Sequence, residues 1–171
     1  MKQPIAGVAP SNLNEVTVMT VWPTIAATSL GRLLGRLYSI DVGVNLLGVR
    51  LTLGKLIALA SIPVALGLFF AMLVPPLVRR YRLTNKRIVV ERGLRPVEDR
   101  SVSLERFDTI EVEVLPGQAW YPAGDLVFRL GPIETFRLSG VPRPETFRQT
   151  CLKANQSFVG VQKARQMGAA V

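Results

Sequence analysis

Up to Val78 the apolar residues of this chain come in long runs, and beyond it they come in short alternating ones. The longest run, Leu56 to Val78 (LIALASIPVALGLFFAMLVPPLV), holds no charge and is followed at once by Arg79-Arg80-Tyr81-Arg82. As a helix it would be about 35 Å long at ~1.5 Å per residue, enough to cross a hydrocarbon core of ~30 Å. The pattern therefore predicts a transmembrane helix over residues 53–78, kinked near Pro63 and Gly67 and bent at Pro75-Pro76, residues that membrane helices tolerate. Arg79, Arg80, Arg82, Lys86 and Arg87 place a dense cationic flank just past the span, which puts everything after residue 78 on the cytoplasmic side. That flank either is a topology signal or touches anionic headgroups.

Ahead of the span, Val16 to Leu30 is apolar but short, and Gly31-Arg32-Leu33-Leu34-Gly35-Arg36-Leu37-Tyr38 follows. Arg32 and Arg36 share one helical face, opposite Leu30, Leu33, Leu34 and Leu37. Residues 16–50 thus read as an interfacial or re-entrant helix, or as the first arm of a two-span hairpin. Gly31 and Gly35 have GxxxG spacing, interrupted by an arginine. Residues 1–15 lack a cationic start and cleavage site and read as a flexible lead-in.

Beyond the flank, period-2 alternation predicts strands. Arg80 to Thr84 and Arg87 to Glu91 flank a two-residue turn at Asn85-Lys86, with Gly93 closing the second. Residues 97–104 form a third strand, and 107–115 alternate with Ile110, Val112 and Val114 inward. After Pro116-Gly117 and a Trp120-Tyr121-Pro122 loop, Gly124-Asp125 leads into Leu126 to Leu130, and Gly131-Pro132 into Glu134 to Leu138. This spacing indicates an antiparallel sandwich or partly open barrel. Pro144 opens a helix whose Phe147, Cys151, Ala154 and Phe158 make one apolar stripe. That stripe would cover the sheet, with Cys151 as a small core residue. Residues 161–171 read as a frayed or disordered tail.

Composition narrows the function. The chain is 49% hydrophobic and 19% charged, with a net charge of +9. Its cations interleave with Glu91, Glu98, Asp99, Glu105, Asp108, Glu111 and Glu113, unlike the unopposed stripe of a nucleic-acid binder. There is no histidine and a single cysteine. That removes imidazole catalysis, hydrolase triads and thiolate metal cages, so neither an enzyme nor a cofactor or metal site is expected.

The span ending in Arg-Arg-Tyr-Arg-Leu-Thr-Asn-Lys-Arg-Ile-Val-Val, the Gly93 turn, the Leu104 to Val114 strand and the Gly124-Asp125 turn resemble the bacterial PH-like domain of small membrane proteins. Tyr81-Arg82-Leu83-Thr84-Asn85-Lys86-Arg87-Ile88 is the most specific piece. The resemblance covers residues 79–160 and implies a membrane-anchored α+β architecture. In it, N-terminal membrane helices precede a pleckstrin-homology-type antiparallel barrel or sandwich of about seven strands, closed by a C-terminal helix, at the bacterial inner membrane. Two functions fit. One is an interaction or scaffolding module, such as an accessory subunit of a larger membrane complex, with Trp120, Tyr121 and Pro122 as the partner-binding loop. The alternative is an anionic-headgroup sensor using Arg79, Arg80, Arg82, Lys86 and Arg87. The bilayer and a protein are the expected partners.

Overall fold

A computed structural model describes residues 15–46, 49–74, 78–93 and 95–168. The expected flexible start lies outside them apart from Glu15, as do the Pro75-Pro76 bend and the end of the tail. In chain order the elements are β1 (Thr17–Val21), a 3-10 turn (Ile25–Ala27), α1 (Ser29–Tyr38), β2 (Gly43–Leu46), β3 (Val49–Thr52), α2 (Leu53–Ala60) and α3 (Ile62–Leu73). There follow β4 (Arg79–Thr84), β5 (Arg87–Arg92), β6 (Val97–Ser103), β7 (Thr109–Glu113), β8 (Ala123–Leu130), β9 (Ile133–Pro142) and α4 (Pro144–Gly168).

The long apolar run does not form one helix, which corrects the predicted transmembrane helix over 53–78. Pro63 has no N–H for the bond to Leu59 and its ring crowds that carbonyl, so α2 ends at Ala60 and α3 starts afresh with Pro63 in its first turn. The two axes meet at 56° across Ser61. Val74, held extended by the proline after it, ends α3. Among the described residues no single helix is long and apolar enough to cross a membrane.

The expected order of membrane helices followed by a PH-like barrel is corrected as well. Among the described residues nine strands fall into three separate antiparallel sheets: β1-β4-β5-β6, the hairpin β2-β3, and β7-β8-β9. The apolar stretch read as the start of a membrane or interfacial helix supplies β1, whose Val21 pairs with Tyr81 and Thr20 with Arg82. Residues 22–78 are therefore an excursion between two neighbouring strands, and β1 ahead of it belongs to the β domain.

The core lies between the four-stranded and three-stranded sheets. Tyr81, Leu83, Ile88, Val90 and Val102 from the first meet Ile110, Leu126, Phe128, Phe136 and Leu138 from the second, with Phe147 and Cys151 of α4 joining them. Phe128 stands edge-on to Phe107 and Phe136 at centroid distances of 5.0 and 6.0 Å, a favoured aromatic arrangement. Ala154 and Phe158 pack on the same cluster, and the Asn155 amide donates to the carbonyls of Leu104 and Phe107. The helix runs to Gly168, well into the segment read as a tail. Val114, expected inward, is exposed because β7 ends its pairing at Glu113 opposite Asp125.

A buried polar knot joins the two parts of the chain. The Gln118 side-chain amide and the Gly140 N–H both donate to Asp125 Oδ1, at 2.6 and 2.9 Å. The Gly140 carbonyl in turn accepts from the Thr24 N–H at 2.9 Å. Such groups are tolerated in a core only when paired, and here the pairing fixes residues 24, 118, 125 and 140 against one another.

Burial also shows in titration. It pushes the phenols of Tyr81 and Tyr121 up to about 12 from an ordinary value of 10. A phenol that keeps its proton longer when folded adds stability that is complete below the unfolded value and is lost as pH rises through the folded one. Absorbance at 295 nm is thus expected to show these tyrosines ionising together with loss of β-sheet circular dichroism between pH 10 and 12. Free titration of all tyrosines near pH 10 in a still-folded chain would contradict this.

Candidate interaction surface

The cationic flank folds into β4 and β5, where period-2 alternation sends Tyr81 and Leu83 to the core and Arg80 and Arg82 to the opposite face. Glu91, almost fully buried, sits directly across from Arg80. It pairs with the Arg80 guanidinium and, at 2.6 Å, with that of Arg82. Arg87 forks onto Glu15 at 2.9 and 3.1 Å and reaches Glu98 at 2.8 Å, which holds the Glu15 carboxyl below its usual range. Arg79 and Lys86 are exposed. The structure thus gathers Arg80 and Arg82 around a carboxylate of the protein itself. The two-residue turn at Asn85-Lys86 dictates this register, so Glu91 opposite Arg80 could have been read from the sequence.

Trp120, Tyr121 and Pro122 lie in the β7–β8 connection, and this loop packs against α1. Trp120 is half exposed and meets the Tyr38 ring at a tilt, centroids 4.7 Å apart, and the Tyr121 ring edge-on at 5.0 Å. Tyr38 Oη lies 2.5 Å from Ser61 Oγ, the residue at the bend between α2 and α3. The loop therefore forms the base on which the bent helix pair stands. Sequence reading picked out the loop but missed Tyr38 and Ser61, which only the tertiary fold brings to it.

Arg32 and Arg36 lie on α1, as the spacing requires, but the burial of that helix runs against its composition. Gly31, Gly35 and Tyr38 face inward while Leu30, Leu33 and Leu37 are exposed. The glycines let backbone approach backbone: a Cβ on Gly35 would lie 2.0 Å from the Gly117 carbonyl oxygen, and one on Gly117 would lie 2.0 Å from that of Arg32. Both GxxxG glycines are thus occupied within the chain, Gly31 against the Ile25 carbonyl. The outward leucines form a stripe at i, i+3 and i+7, and Arg36 Nε donates to the Pro116 carbonyl at 3.3 Å.

The surface that the sequence did not single out is the bent pair itself. A helix lying on a protein core hides one stripe and wets the other. On α3, Ile62, Val64, Leu66, Phe69 and Phe70 are exposed and Ala65, Leu68 and Ala71 part-buried, so the open arc is wider than one stripe. Leu53, Leu56 and Leu59 of α2, Val42 just before β2, and Val44 and Leu51 of the β2–β3 hairpin are exposed as well. Gly67 has no neighbour within 4 Å of where a side chain would start. Exposed apolar side chains in this number on neighbouring elements mark a candidate interaction site.

Among the described residues no group of three or more His, Cys, Asp or Glu could hold a metal ion. Burial pushes the Cys151 thiol up to about 12, so it is not a nucleophile at neutral pH. Comparison with known proteins gives no matching family model, no matching curated protein and no matching solved structure.

Proposed function

We propose that this chain is an interaction module that seats its β domain on a lipid bilayer through the α2–α3 pair. The pair enters the acyl region from one side and does not cross it. The observation that carries this reading is the breadth of the apolar face that α3 exposes through Ile62, Val64, Leu66, Phe69 and Phe70, with no charge from Leu56 to Val74. Lipid tails solvate such a helix uniformly, whereas a single partner helix or groove would need only one stripe. The half-exposed Trp120 ring fits the same picture, because amphipathic rings favour the boundary between headgroups and tails. The β domain then stands at the surface as a platform for a protein partner, with β6 an edge strand whose Glu98, Asp99 and Arg100 discourage indiscriminate pairing.

Flotation of the purified full chain with phosphatidylcholine vesicles tests the reading. The wild type is expected to float with them, while the triple substitution Leu66→Ser, Phe69→Ser, Phe70→Ser weakens association by at least about tenfold, given ~1.5–3 kcal/mol for each large apolar side chain withdrawn from water. The melting temperature is expected to stay unchanged, because none of the three packs on the core. Undiminished flotation of the triple variant would overturn the proposal.

A further inference from the structure

Many cations of the β domain are neutralised where they stand. In the β domain, Arg80, Arg82, Arg87, Arg92, Arg129 and Arg137 each lie within ion-pair distance of a carboxylate. Around the apolar pair the balance differs: residues 29–74 carry Arg32, Arg36, Arg50 and Lys55 against the single acid Asp41. Asp41 takes Arg50, at 3.2 Å in an exposed pair, which is worth little in water. The others rest on neutral oxygens: Arg32 on Ser29 Oγ at 3.4 Å, Arg36 on the Pro116 carbonyl and Lys55 on the Arg50 carbonyl at 2.7 Å.

Their position is as selective as their number. Lys55 lies in the first turn of α2, Arg50 on the strand that leads into it, and Arg32 and Arg36 on α1, whose C-terminal end packs on α2 where Gly54 abuts the Tyr38 and Ile40 carbonyls. None lies on α3. Along the chain from the start of α2 to α3 the order is therefore cations first, with the half-exposed Trp120 ring and the leucine stripe of α1 beside them, then an uncharged helix. A bilayer leaflet presents the complementary order of phosphates, glycerol boundary and acyl chains. Long cationic side chains at this level reach outward to phosphate while their stems stay in the apolar layer.

We infer that Arg32, Arg36, Arg50 and Lys55 form a headgroup collar that selects anionic phospholipid, the ligand phosphate being that of a lipid in the leaflet the helix pair enters. This rests on the insertion of α2–α3 proposed above and assigns headgroup recognition to these residues and not to the β4–β5 hairpin, whose Arg80, Arg82 and Arg87 are held by Glu91, Glu15 and Glu98.

The test compares flotation of the full chain with vesicles of phosphatidylcholine alone and of phosphatidylcholine containing one-third phosphatidylglycerol. Wild type is expected to bind the anionic vesicles at least about tenfold more tightly, with the preference shrinking as salt is raised. The variant Arg32→Gln, Arg36→Gln, Arg50→Gln, Lys55→Gln is expected to keep its binding to phosphatidylcholine and lose the preference. Arg92→Gln with Arg129→Gln, which removes the same kind of charge from the β domain, is expected to keep the preference. Free inorganic phosphate at millimolar concentration is expected not to compete. Equal binding of wild type to both vesicles, or a preference that survives the fourfold substitution, overturns the collar while leaving insertion intact. Competition by free phosphate overturns the assignment to lipid. Failure of wild type to float with either vesicle overturns insertion, and the collar with it.

Discussion

Replacing Phe128 with alanine is expected to lower folding stability by about 3–5 kcal/mol, the range for emptying a fully buried aromatic site. The side chain is completely enclosed, stands edge-on to both Phe107 and Phe136, and lies on the central strand of its sheet. Its neighbours come from two sheets and from α4, so they cannot all close on the vacancy at once. Against a total of about 5–15 kcal/mol for a typical domain, the variant would be left marginal, with a melting temperature lower by roughly 10 °C or more. Urea titration followed by circular dichroism measures this directly. A loss below about 1 kcal/mol would mean that the two sheets do not share one core.

Gly117→Ala is expected to be the second most damaging single change, at about 2–5 kcal/mol. Gly117 has φ +92, where an L side chain is strained. The new Cβ would also lie 2.0 Å from the Arg32 carbonyl oxygen, which belongs to the helical backbone and has no rotamer by which to move aside. The seam between α1 and the loop must open, and the contact of Trp120 with Tyr38 loosens with it. Gly67→Ala is the contrasting control. It adds the same methyl group to open space on α3 and is expected to be neutral or stabilising by up to about 1 kcal/mol. Thermal melts of the two variants side by side check the pair, and equal midpoints would count against the α1–loop seam.

What could be read from the chain in advance was whatever short-range periodicity controls. Alternation over Arg80 to Thr84 and Arg87 to Glu91, the turn at Asn85-Lys86 and the stripe Phe147, Cys151, Ala154, Phe158 depend on neighbours within one strand or a few turns, and those elements stand in the structure where the pattern put them. The pattern failed at Val114 because alternation does not say where pairing stops, and Val114 lies beyond the end of its ladder. The transmembrane expectation failed for a different reason. Hydropathy adds residues without regard to direction, and Pro63 turns the run through 56° at Ser61. β1 was illegible because its partner is β4, with all of residues 22–78 between them. Of the candidate site, the loop at Trp120 was visible as an aromatic cluster. Its role as a footing for α2 and α3 was not, since that depends on Tyr38 and on Gly35 meeting Gly117.

The pairing of β1 with β4 sets an order of events during synthesis. A ribosome delivers residues 17–21 first, but their hydrogen-bonding partner, residues 79–84, leaves the tunnel only after the whole excursion has emerged. For that interval the nascent chain offers its most apolar segment while its sheet is still incomplete, and at ~5–20 residues per second the interval lasts several seconds. The four-stranded sheet therefore cannot be completed until Ile62 to Leu73 have already left the tunnel, so the apolar excursion is exposed before its own domain can close.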